Sequence, residues 1–73
     1  MTTLNKLSIG STATINSLLF TGNLRRRMLD LGIVPNSKIT ALFKSPFGNP
    51  TAFLIRGSII ALRNIDAEKI IIK

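Results

Sequence analysis

The chain holds little that could catalyse a reaction. Its 73 residues include no Cys, no His and only three Asp+Glu. Without Cys there is no thiol nucleophile, no disulfide framework and no zinc knuckle. Without His there is no ordinary general base near neutral pH and no imidazole metal ligand. The Ser residues have no imidazole to activate them, and no Ser-x-x-Lys or nucleophile elbow marks a Ser–Lys pair. Asp66 and Glu68 stand two apart in a polar stretch. They read as a solvated turn before the last strand, because a general acid–base pair needs environments that drive its pKa values apart. The five Gly, at 10, 22, 32, 48 and 57, are isolated, so no glycine-rich phosphate loop is present. The residues describe a module that works by binding, and not an enzyme.

The chemistry that remains is positive charge. Ten Lys+Arg give a formal net charge of +7. Arg25, Arg26 and Arg27 stand in a row. On a helix, at about 100° per residue, they fan around the axis and do not share one face. Arg26 precedes Asp30 by four residues, so an i,i+4 pair is available. Arg27 borders an apolar stripe and can lay its methylenes over it. Three readings follow: a solvated basic helix, a docking surface for an acidic protein, or a nucleic-acid surface. The last is disfavoured. Charge alone supplies weak, salt-sensitive binding, and small barrels that hold single strands also use stacking aromatics. The chain has only four Phe and no Tyr or Trp. Phe43 is expected in the core, where Phe53 can join it; Phe20 and Phe47 lie in or beside loops and are free to be exposed. Phe47 stands at the tip of a Pro-flanked loop, where it either folds back as a lid or offers an apolar contact.

Short elements must position these groups. Thr12–Leu18 and Ser37–Lys44 alternate as strands do, with Ile39, Ala41 and Phe43 on one face of the second. Thr51–Arg56 and Ser58–Arg63 form a hairpin, with Gly57-Ser58 as its two-residue turn. Ile70–Ile72 is a final apolar strand, and Asn64–Glu68 one helical turn. Leu24–Leu31 is the one helical segment: Leu24, Met28 and Leu31 share a face. Thr21-Gly22-Asn23 supplies its capping side chains and Gly32 its C-terminal cap. Pro35-Asn36 and Ser45–Pro50 are a turn and a loop. Five short strands predict a mainly β fold, a small SH3-like, partly open antiparallel barrel with one short inserted helix. A small α+β sandwich is the alternative. A chain this short buries roughly 60% of its unfolded surface. It compensates with 45% hydrophobic residues and a mean hydropathy of +0.35. No apolar run approaches the ~20 residues of a membrane span, and the N-terminus lacks the apolar region of a signal peptide. The expected setting is the cytoplasm, as one domain over residues 1–73.

Taken together, the motifs resemble the FeoA family, the small ferrous iron transport proteins A. Leu24-Arg25-Arg26-Arg27-Met28-Leu29-Asp30-Leu31-Gly32 followed by Pro35 is similar to the family's RRL-x-x-LG-hydrophobic-x-PG signature. Pro46-Phe47-Gly48-Asn49-Pro50 looks like its P-hydrophobic-G-D/N-P element. Gly57 through Leu62-Arg63 and Asp66-Ala67 resembles its G-x-x-I-x-LR-x-x-D/E-A ending, and Leu4–Gly10 its L-x-x-L-x-x-G start. Asn36 replaces the usual Gly and Asn49 the commoner Asp.

The resemblance implies a non-enzymatic cytoplasmic accessory or regulatory protein of ferrous iron uptake that binds FeoB, the membrane transporter with a cytoplasmic G domain. The expected partner-binding residues are Arg25, Arg26, Pro46, Phe47 and Pro50; Gly32, Gly57 and Arg63 are expected to be structural. The resemblance also implies a transition-metal association. With no His and only Asp30, Asp66 and Glu68, any ferrous-iron association is expected to be weak and none to be required. The alternatives are a basic nucleic-acid-binding barrel and a metal-responsive regulatory domain. Monomer or weak homo-oligomer is expected, with the apolar Ile70–Ile72 edge as the place where copies would pair.

Overall fold

The alternating segments fold as antiparallel strands in the computed structural model, which describes residues 2–73. In chain order the elements are β1 (Thr2–Thr3), a 3-10 turn (Leu4–Lys6), β2 (Thr12–Leu18), α1 (Gly22–Asp30), β3 (Lys38–Lys44), β4 (Thr51–Ile55), β5 (Ser58–Leu62), α2 (Asn64–Ala67) and β6 (Ile70–Ile72). The strands form one sheet in the order β1-β6-β2-β3-β4-β5. The mainly β, open antiparallel architecture with a short inserted helix is as expected. There is one strand more: Thr2 and Thr3 pair with Ile72 and Ile71. Two residues are too few to leave an alternation in the sequence.

Inward positions of the strands build the core. Ile15, Ile39, Phe53, Ile55 and Ile70 are buried, together with Leu4 and with Ile33 from the segment after α1. Each such side chain contributes about 1.5–3 kcal/mol relative to exposure.

Four expectations change at this level. Ile70–Ile72 is no edge, because β6 lies between β1 and β2. The free edges are β1 and β5. Phe43 is not in the core but 58% exposed, whereas Phe20 is buried. The cause is a register shift: Ala41 faces Phe53, yet Phe43 faces Ala52, so β3 advances two residues against one on β4. Such a bulge interrupts strict alternation and sends Phe43 outward. The β4–β5 turn is Arg56-Gly57, with Ile55 paired to Ser58 and φ of 50° and 81° at the two turn residues. That is the positive-φ pair of a type I′ hairpin, set one residue earlier than Gly57-Ser58. Finally, α1 begins at Gly22, and its N-cap Thr21 makes no side-chain capping bond.

Candidate partner-binding site

The helical stripe of α1 is only partly buried. Met28 packs into the core, but Leu24 and Leu31 remain 39% and 42% exposed. A groove of about 270 Å³ separates this stripe from the end of β5. Leu24, Arg27, Met28 and Leu31 form one wall. Ala61, Leu62, Arg63 and Asp66 form the other. Apolar spacing alone does not tell a buried stripe from a groove wall, so this feature escaped the sequence. Arg27 does border the stripe, as its position on the helix indicates.

The other two arginines of the row are placed differently. Arg25 Nη1 donates to the Leu18 carbonyl at 3.3 Å, tying α1 to the end of β2. Arg26 is exposed, and the available Arg26–Asp30 pair does not form. Among the described residues the only ion pair is Arg63 Nε to Asp66 Oδ2, at 3.5 Å. An arginine spaced four before an aspartate on an exposed helix gains only a few tenths of a kcal/mol, too little to hold two solvated side chains together. Arg63 and Asp66 thus hold each other beside the groove. Gly32 follows Leu31, the C-cap of α1, with φ of 95°. Asn36 takes φ of 75° where the resemblance leads one to expect Gly.

The Pro-flanked loop is built by its own polar groups. Ser45 Oγ donates to the Asn49 carbonyl at 2.8 Å and accepts from the Asn49 N–H at 3.1 Å. Gly48 N–H donates to the Ser45 carbonyl at 2.8 Å. Asn49 Oδ1 accepts the N–H of Asn64, the first residue of α2, at 2.9 Å. An amide oxygen serves here as well as a carboxylate. Within this frame Phe47 does not fold back: it is 95% exposed. Pro46 and Pro50 flank it at the surface. The loop therefore adjoins α2 and, through it, the groove wall that carries Arg63 and Asp66. No hydrogen bond or ion pair joins Arg25 or Arg26 to Pro46, Phe47 or Pro50 among the described residues. The five expected contact residues lie on two elements, α1 and the loop.

The donor set does not suit a metal ion. No group of three His, Cys, Asp or Glu comes together among the described residues. Asp30 ends α1 and Asp66 is engaged by Arg63. Ferrous iron selects imidazole and carboxylate donors in number, and these residues do not supply them. No helix among the described residues is long and apolar enough to cross a membrane.

The family model of the FeoA domain matches residues 2–73. Among solved structures, the FeoA protein of Chlorobium tepidum is 31% identical with a TM-score of 0.89; the match covers 96% of this chain and 67% of that one. Iron(II) transport protein A of Clostridium thermocellum is 30% identical with a TM-score of 0.92 and covers 97% of this chain, which spans only 44% of that protein's length. Stenotrophomonas maltophilia FeoA, an SH3 domain protein solved in complex with zinc, is 23% identical with a TM-score of 0.87, covering 100% of this chain and 91% of that one. At that identity the likeness shows the fold, which is SH3-like. No curated protein sequence matches significantly.

Proposed function

The chain belongs to the FeoA domain family, and from that premise we propose that it is a non-enzymatic cytoplasmic accessory protein of ferrous iron uptake that acts by binding the FeoB transporter. The observation that carries this reading is Phe47. A large aromatic 95% exposed at a loop tip, on a loop held by its own hydrogen bonds, has the form of a contact residue kept ready for a partner. Exposed apolar groups on an ordered frame lose little conformational entropy on binding. Arg26 and Arg25 on α1 supply positive charge near an acidic partner, which raises the association rate more than the affinity. Pro46 and Pro50 restrict the loop. In this reading the activity is binding, and no metal is called on for it. The Stenotrophomonas protein is itself described as a candidate ferrous iron transport activating factor.

The test is co-purification of this protein with FeoB and with its isolated G domain, in both nucleotide states, at low and moderate salt. Retention that is lost in Phe47→Ser supports the proposal. No retention in any of these conditions overturns it.

A further inference from the structure

The two edges of the sheet are unequal. β1 is two residues long, and short edges invite no pairing. β5 is five residues, Ser-Ile-Ile-Ala-Leu, with neither charge nor proline. Its pairing with β4 runs without a register shift, so no bulge twists it away. Ile59 on this strand is 64% exposed. Natural edges are blunted by charge, Pro, bulges or a cover; β5 has none of these among the described residues.

The direction of its free groups follows from the hairpin. Ile55 and Ser58 flank a two-residue turn and so form a hydrogen-bonded pair. Bonded and non-bonded pairs then alternate. Ser58, Ile60 and Leu62 bond to β4, and the N–H and C=O groups of Ile59 and Ala61 point to the open side. Neither residue's backbone bonds to a loop or another element among the described residues. Ala61 also lines the α1 groove, so edge and groove are one continuous surface.

Its charge is one-sided. Residues 31–65 contain Lys38, Lys44, Arg56 and Arg63 and no carboxylate. Asp66 in the groove is held by Arg63, and Arg27 has no carboxylate partner among the described residues. A second copy fits this surface poorly. Each copy carries +7, and pairing β5 with β5 would bring like charges together. We propose that the free edge of β5 and the adjoining α1 groove take an extended, acidic segment of a different protein as a seventh strand, with apolar residues over Leu24 and Leu31 and carboxylates at Arg27. Strand addition gives affinity through the backbone and specificity through alternate side chains. The inference does not depend on which protein supplies the segment.

The probe is a capped peptide of alternating Glu and Val, with the alternating Lys and Val peptide as control. Binding is followed by amide hydrogen exchange of the full chain. The Glu peptide is expected to slow exchange at Ile59 and Ala61 about tenfold or more and to bind about tenfold tighter than the Lys peptide, as one charge-assisted contact allows. Ala61→Pro removes an outward donor and no bond to β4, so it should abolish binding while the domain still melts cooperatively. Arg27→Glu, on the surface of α1, should weaken binding about tenfold and decides the matter if Ala61→Pro does not fold. Unchanged exchange at Ile59 and Ala61, equal binding of the Lys peptide, or wild-type binding by Arg27→Glu would overturn the proposal. So would protection of both amides without peptide, together with a mass that rises with concentration, since the edge would then belong to a second copy. Retention of FeoB through Phe47 is a separate readout and can succeed or fail independently.

Discussion

Gly32 is where a single side chain would cost most for its size. Its φ is 95°, and an added Cβ would meet Arg56 Cδ at 3.2 Å. Gly32→Ala should therefore lower stability by about 1–2 kcal/mol, read from the midpoint of urea denaturation. Arg56 presents the opposite case. It holds φ of 50° without being Gly, so Arg56→Asn, which makes the favoured Asn-Gly turn, should raise stability by about 0.5 kcal/mol. Phe53→Ala removes a side chain 2% exposed and should cost about 3–5 kcal/mol. Phe47→Ser should stay within about 0.5 kcal/mol of wild type while losing partner binding. Chemical denaturation of the two Phe variants side by side separates fold from function. At this scale the sequence was legible where residue type is tied to backbone geometry. Gly32 and Asn36 sit in the left-handed region because few other residues do so cheaply. It misled at Phe43 and Phe20. Burial there depends on a bulge and on what packs above a loop, and neither leaves a local signature.

Elements show the same division. The spacing of Leu24, Met28 and Leu31 reports correctly that they share a face of α1. It does not report what stands opposite: Met28 packs into the core, while Leu24 and Leu31 stay exposed along the wall of a groove. The hairpin was legible apart from its turn, displaced by one residue because Arg56 adopts positive φ beside Gly57. The Ser45–Pro50 loop was legible as a loop from its prolines, but its link to α2 was not. That link spans the chain from Asn49 to Asn64 and gives the loop its fixed position. Asn49→Ala should cost about 1 kcal/mol. It should also weaken partner binding by freeing the Phe47 loop, although residue 47 itself is unchanged. Binding and melting measurements on this one variant check both statements, and Asn49→Asp, which keeps the acceptor, should restore them.

For the molecule as a whole, the +7 charge governs how partners are met more than how the fold is held. Any acidic partner should bind faster at low salt and lose that advantage near physiological ionic strength, where the Debye length is about 8 Å. Stopped-flow association rates across a salt series check this. The architecture itself depends on β6. β6 joins β1 to β2, so removing residues 70–73 should leave β1 without a partner and β2 paired only to β3, and abolish cooperative unfolding. The order of synthesis gives this arrangement a further meaning. During translation β2 to β5 can pair as they emerge, yet the position beside β2 stays vacant until Ile70–Ile72 arrive to fill it. Ile15 and Leu4 wait uncovered for that time. The half-finished sheet then presents the seven-residue β2 as an edge in place of the two-residue β1, and its protection from wrong pairing rests on how quickly Ile70–Ile72 follow.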